Sequence, residues 1–227
     1  MMAVNLPNYH HVLGQCQPFH AQLVAVSKTK PAESIRALYD AGQRIFGENY
    51  VQEMVEKEGL LPKDIQWHFI GHLQSNKVKY IAPFVSMIHG IDSFKLLQEV
   101  NKQAAKNGRT IDCLLQVHIA TEETKFGFSE AELETVLEQS VTLPNIRIAG
   151  LMGMASNTDD LAQVRSEFRR LKELQVAAKA KYFPVTDEFR QLSMGMSGDY
   201  TIALEEGSTL VRIGSLLFGA RNYAQKQ

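Results

Sequence analysis

Apolar residues in this chain come in short runs, each followed by a stretch with helical spacing. The first clear run, Leu23-Val24-Ala25-Val26, leads through Ser27 to Lys28. Read as a strand, it places Val24, Val26 and Lys28 on one face and Leu23, Ala25 and Ser27 on the other. Lys28 then crowns an apolar row where a buried strand runs out into a loop. Helical spacing follows over 32–41 and stops at Gly42, and residues 44–49 read as a second strand followed by a polar turn. The alternation continues with a helix over 50–58, a strand over 65–70, a helix over 73–81 and a strand over 85–90. Ser93 is placed to cap a helix from Phe94 to Lys106, which Gly108 stops. A strand over 111–119 leads to a loop containing Lys125, then to a helix for which Ser129 and Glu132 form a capping box. Residues 146–152 are a sixth strand. In the long segment 159–181, Leu161, Val164, Phe168, Leu171 and Leu174 share one helical face and are assigned to the core. A seventh strand over 189–194 ends in the turn Gly195-Met196-Ser197-Gly198, followed by a short helix over 199–205. The eighth, over 209–213, ends in Gly214-Ser215 before a helical stretch over 216–223.

Eight strand-then-helix units in one moderate chain describe a (β/α)8 barrel of the TIM type more economically than an open doubly wound sheet. The first strand lacks the Gly-x-Gly-x-x-Gly turn of a dinucleotide fold. No linker divides the chain. Residues 1–22, with Pro7, Gly14 and Pro18 and no clean period, read as a loosely organised lead-in packed on a barrel over 23–227.

The bulk properties narrow the partners. With 227 residues, 44% hydrophobic and 22% charged, and a formal net charge of -1, the chain suits one soluble domain with a full core. It has no concentrated basic face of the kind nucleic acid or a membrane surface requires. Cys16 and Cys113 give neither a disulfide framework nor a zinc spacing, so a reducing cytoplasm is expected. No stretch approaches the roughly 18 apolar residues of a membrane span.

In a barrel the βα loops open on one face, so their residues converge on one pocket. Lys28 is either a solvated loop lysine or, partly desolvated, an amine able to form a Schiff base with a carbonyl. The loops after strands seven and eight hold Ser193, Ser197, Gly198, Gly214 and Ser215, small residues leading into short helices where backbone N–H groups can receive a phosphate. Arg212 shares the inner face of strand eight with Leu210 and needs a partner if buried. Lys30, beyond the strand and beside Pro31, is expected to point into water. Lysine, phosphate cradle and inward arginine together imply a phosphate-bearing aldehyde cofactor, of which pyridoxal 5'-phosphate (PLP) is the obvious case.

Five ordered motifs, Val26-Ser27-Lys28-Thr29-Lys30-Pro31, Phe46-Gly47-Glu48-Asn49-Tyr50-Val51-Gln52-Glu53, His68-Phe69-Ile70-Gly71-His72-Leu73-Gln74-Ser75-Asn76-Lys77, Ser193-Met194-Gly195-Met196-Ser197 and Arg212-Ile213-Gly214-Ser215-Leu216-Leu217-Phe218-Gly219, resemble the YggS/PROSC family of pyridoxal phosphate homeostasis proteins. The likeness runs from about Leu23 to Arg221. It implies the alanine racemase N-terminal (fold-type III) barrel, with PLP carried on Lys28 as an N6-pyridoxal phosphate lysine. It also implies Asn49 against the pyridine ring, Arg212 at the ring nitrogen, and Ser197, Gly214 and Ser215 around the phosphate. A guanidinium there makes the ring a weak electron sink. Members begin with a longer charged amphipathic helix, where this chain has Leu6-Pro7-Asn8-Tyr9-His10-His11.

Other residues keep plainer readings. His72 is a loop hydrogen bonder before it is a catalyst, Asn76 and Lys77 suit a cap or a surface, and Glu48 either orients Lys28 or answers a neighbouring donor. Met152 and Met154 pack near the mouth. Lys125 is an exposed loop lysine or a secondary cofactor contact. The expected protein is a cytoplasmic monomer that carries or regulates PLP, with apo PLP-dependent enzymes as acceptors and little catalysis. An alanine racemase takes its opposite-face base from a second, β-rich domain, so a two-base racemase is not expected. The alternatives are a weak one-base racemase or lyase, and a Schiff-base aldolase using Lys28 without a cofactor.

Overall fold

Alternation along the strands produces two apolar layers, one between strands and helices and one inside the sheet. The computed structural model describes residues 4–122 and 126–219. Its strands are β1 (Gln22–Val26), β2 (Ile45–Glu48), β3 (Gln66–Phe69), β4 (Met87–Ile91), β5 (Ile111–Gln116), β6 (Ile146–Met152), β7 (Gln191–Ser193) and β8 (Leu210–Ile213). They pair in sequence order, and β8 returns to β1 with Val24 opposite Arg212, closing a parallel barrel. Between and after them lie α2 (Ala32–Asp40), α3 (Val51–Leu60), α4 (Val78–Ile81), α5 (Phe94–Lys106), α6 (Glu130–Ser140), α7 (Leu161–Tyr182), α8 (Tyr200–Glu205) and α9 (Ser215–Phe218). This is the expected (β/α)8 architecture.

Leu23, Ala25, Phe46, Trp67, Phe69 and Ile88 pack outward under the helices. Val24, Ile45, Met87, Leu114, Ala149, Met152 and Leu210 fill the barrel. The expected caps are in place: Ser93 accepts from the Leu96 N–H at 3.3 Å, and Ser129 and Glu132 complete a capping box.

The beginning of the chain departs from the expected loose lead-in. It forms a regular helix, α1 (Leu6–Cys16), that buries Tyr9, Val12 and Cys16. Pro7 lies in the first turn, where a missing N–H costs nothing, and the Asn5 side chain caps the helix through the Asn8 N–H at 2.9 Å. The Asn5 N–H and the Asn8 amide then donate to Leu217 and Leu216 carbonyls, tying α1 to α9.

Three smaller differences have local causes. Leu161 is 59% exposed, because it opens the first turn of α7, whereas Val164, Phe168 and Leu171 are buried. Strand β5 ends at Gln116, where the following loop folds back and the Phe128 N–H bonds the Gln116 carbonyl at 2.7 Å. Helix α9 stops at Gly219, whose φ of +74° breaks it, and the remainder of the expected helix lies outside the described residues, as does Lys125.

Two glycines make contrasting predictions. At Gly150, with φ of +152°, an added Cβ would stand 1.8 Å from the Gln191 carbonyl oxygen, inside the β6–β7 pairing. Gly150→Ala should lower stability by about 2 kcal/mol or more. Gly14 is exposed in α1 with nothing within 4 Å of such a Cβ, so Gly14→Ala should add roughly 0.5 to 1 kcal/mol. Denaturant midpoints of the two variants check both signs.

Candidate functional site

The site begins where β1 ends. Ser27 leaves the strand with its N–H on the Gly47 carbonyl at 3.0 Å, and the chain turns through Lys28 and Thr29 before the Lys30 N–H returns to the Ser27 carbonyl at 3.0 Å. Thr29 has φ of +62°, an unfavourable conformation for a β-branched residue. The Glu53 carboxylate of α3 takes the Thr29 N–H at 2.6 Å and holds it there. Behind the turn, the buried Lys57 ammonium joins Glu53 at 2.6 Å, Glu48 at 2.7 Å and the Ser27 carbonyl at 2.8 Å. The Ser27 hydroxyl donates to Glu48 at 2.6 Å. Burial pushes the Glu48 carboxyl up to about 7, against the opposing pull of Lys57 and Ser27. Lys28 is therefore presented by a turn gripped from beneath by one ammonium and two carboxyl groups.

Lys30 corrects the expectation that it points into water. It is buried, and its ammonium donates to the Phe218 carbonyl at 2.9 Å and the Gly219 carbonyl at 3.3 Å. The cause is the left-handed turn at Thr29, which sends the side chain toward the end of α9, where helix carbonyls lack intrahelical partners.

The facing wall comes from β7, β8 and the loops after them. Arg212 is 5% exposed and points into the barrel, with Nη1 donating to Ser193 Oγ at 2.5 Å and Nη2 to the Gly153 carbonyl at 3.2 Å. Burial lowers its pKa to about 10, partly offset by Asp199, so it remains a cation at neutral pH. Gly214 precedes α9, and a Cβ there would lie 3.2 Å from the Val26 carbonyl oxygen. The backbone of β8 thereby runs close beside the exit of β1.

Lys28, Asn49, Ser197, Arg212, Gly214 and Ser215, the six residues singled out from the sequence, all line one cavity of about 340 Å³. Met154 and Lys30 line it too, whereas Met152 packs inside the barrel. Asn49 Oδ1 is buried and has no hydrogen-bond partner among the described residues. The other candidates sit elsewhere. His72 is exposed, bonded to Asp92 at 3.0 Å and stacked on Phe126 with ring centroids 4.8 Å apart. Asn76 and Lys77 lie in a 3-10 turn before α4, with the Lys77 ammonium over the Tyr80 ring.

Sequence reasoning missed the interior histidines. His89 Nδ1 meets Ser193 Oγ at 2.9 Å, and His89 Nε2 meets His68 Nδ1 at 3.0 Å, so a polar row continues from Arg212 across the barrel. Burial holds His68 down to about 3, and burial, His68 and Arg212 hold His89 well below the ordinary imidazole range. The signal was available in Trp67-His68-Phe69, where outward aromatic neighbours force the histidine inward.

Residues 6–222 match the family described as the alanine racemase N-terminal domain. The pyridoxal phosphate homeostasis protein of Aquifex aeolicus (strain VF5) is 44% identical over 204 residues, 89% of this chain and 88% of that protein. Its counterpart in Escherichia coli (strain K12) is 39% identical over 213 residues, 92% and 89% of the two chains. The solved structure of PipY from Synechococcus elongatus PCC7942, with PLP bound, superposes with a TM-score of 0.86 at 36% identity, covering 94% of this chain and 99% of that one. Fold and matched span thus define a barrel of the alanine racemase N-terminal class. Within that class the chain belongs to the family of pyridoxal phosphate homeostasis proteins.

The Glu48 environment predicts a pH effect. Its folded pKa of about 7 lies above the ordinary 4.5, so its contribution to stability is complete below pH 4.5 and is lost as pH rises through about 7. This group alone should lower stability by up to about 3 kcal/mol over that range. Denaturant midpoints measured from about pH 5 to about pH 8 should fall less steeply with pH in Glu48→Gln than in the native chain. Identical slopes would show that Glu48 ionises normally.

Proposed function

We propose that this chain binds PLP in the cavity, holds it as a Schiff base on Lys28 and serves as a carrier or regulator of the cofactor, with little or no turnover of amino acids. The observation that carries this reading is the convergence of an amine, a buried guanidinium and a small-residue loop on one cavity of about 340 Å³. That size suits a small phosphorylated ring compound.

The residues present fit such a ligand. Asn49 offers a buried carboxamide oxygen without a partner among the described residues. Gly214 and Ser215, the small residues that open α9, line the cavity together with Ser197, a lining suited to a phosphate. Bound there, PLP would supply an aldehyde carbon with which the Lys28 amine would condense with loss of water, and another primary amine would take that carbon over by exchange, leaving with it as the new imine and freeing Lys28. Arg212, cationic and turned to neutral acceptors, opposes protonation of a nearby pyridine nitrogen and so disfavours carbanion chemistry. PipY, 36% identical over nearly the whole chain, was solved with PLP bound, which supports the same ligand here. Glu53 and Lys57 hold the backbone on either side of Lys28, a residue that lines the cavity, which supports its assignment as the amine. Apo PLP-dependent enzymes, whose active-site lysines are primary amines, are the proposed acceptors.

Absorbance spectra of the native chain and Lys28→Ala with added PLP test the reading. The native chain should gain a visible imine band that the variant lacks, and a recipient apoenzyme should remove the band and become active. Amino acids alone should give turnover no faster than free PLP. An unchanged band in Lys28→Ala would overturn the role of Lys28, and rapid amino-acid turnover would replace the carrier by an enzyme.

A further inference from the structure

The row of polar groups inside the barrel has a direction. Arg212 has only donors, so its Nη1 must give a proton to Ser193 Oγ at 2.5 Å. Ser193 is 0% exposed, and its hydroxyl has two side-chain contacts among the described residues, Arg212 and His89. The Arg212 contact is already an incoming donor. The hydroxyl hydrogen is therefore satisfied only by passing to His89 Nδ1 at 2.9 Å, which makes that nitrogen an acceptor and places the His89 proton on Nε2. Nε2 in turn donates to His68 Nδ1 at 3.0 Å, and the His68 proton is likewise left on Nε2. Donation in the opposite sense would bring two protons to Ser193 Oγ and leave the serine hydrogen without an acceptor at a position closed to water.

We propose that Ser193, His89 and His68 are positioning residues for the cofactor, forming a one-way hydrogen-bond chain that locks the Arg212 guanidinium against the cavity. The chain runs through three strands, β8 to β7 to β4, and ends on β3, so the arginine is braced by the sheet itself. The Gly153 carbonyl fixes the second terminal nitrogen, and together the two contacts set the plane of the guanidinium. Both imidazoles are neutral acceptors on one side and donors on the other. The low pKa values of the two rings agree with this, since a second cation beside Arg212 in a dry interior is strongly disfavoured. The role toward PLP rests on the function proposed above, whereas the direction of the chain does not.

Long-range 1H–15N spectra of the 15N-histidine-labelled protein without PLP, at neutral pH, test the direction. Two buried imidazoles, both neutral with the proton on Nε2, are expected, and a charged ring or an Nδ1–H tautomer at either position overturns the proposal. PLP titration of Ser193→Ala tests the positioning. The variant should fold, give a shifted absorbance maximum for bound PLP and bind it about tenfold more weakly, as expected for loss of a hydrogen bond to a charged group. The same affinity and maximum as the native chain would overturn the positioning role. Failure of the native chain itself to bind PLP would overturn both that role and the function proposed above, with the tautomers still deciding the chain's direction.

Discussion

A guanidinium inside a closed barrel is tolerated only if its donors are met, and that constraint organises the interior of this protein. Desolvating an unpaired cation costs several kcal/mol. Here the answer is a set of neutral acceptors, Ser193 Oγ and the Gly153 carbonyl, with the serine supported in turn by His89. The apolar residues Val24, Met87, Leu114 and Leu210 fill the rest of the barrel, so the polar row has a dry surround. The two terminal nitrogens of Arg212 are thus held by neutral acceptors at the cavity edge, while Asp199 acts on the charge through its field and favours the protonated form.

The opposite wall solves a different problem. Lys28 has to be presented on a turn rather than within a strand, and the turn requires Thr29 in a left-handed conformation. Glu53, Lys57 and Glu48 supply the stabilisation from below, and Lys30 adds a strut to the end of α9. Because α9 also carries Gly214 and Ser215 at its start, the same strut joins the amine side of the cavity to the small-residue side. The α1 helix bonds to the Leu216 and Leu217 carbonyls and reinforces that junction from outside. The parts of the site thus share supports, although they come from opposite ends of the chain.

Much of this was legible in the sequence, for identifiable reasons. Period-two alternation put Val24 and Lys28 on one face and Arg212 with Leu210 on another, and barrel topology then brought the two faces together. The glycine-rich loops marked the remaining wall. What was hidden depended on tertiary geometry. The spacing of Glu53 and Lys57 is an ordinary helical pair, and only the fold brings Glu48 to it. Lys30 looked solvated because nothing local reveals the turn at Thr29. At the start of the chain, Pro7, Gly14 and Pro18 suggested a loosely organised lead-in, whereas Tyr9, Val12 and Cys16 lie on the buried face of a helix and proline is well suited to its first turn. His68 and His89 were overlooked because single inward histidines, separated by a strand crossover, gain meaning only when their rings are 5.0 Å apart.

The account depends on Lys28 being the amine that takes the PLP aldehyde, at the meeting point of these supports. Borohydride reduction of the PLP-treated protein, followed by mass mapping of its peptides, tests this most directly. The account predicts one pyridoxyl phosphate label per chain, on the peptide containing Lys28 and on that residue. A label on Lys30, Lys57 or a surface lysine with Lys28 unmodified, or no trapped label in a protein that binds PLP, would contradict it.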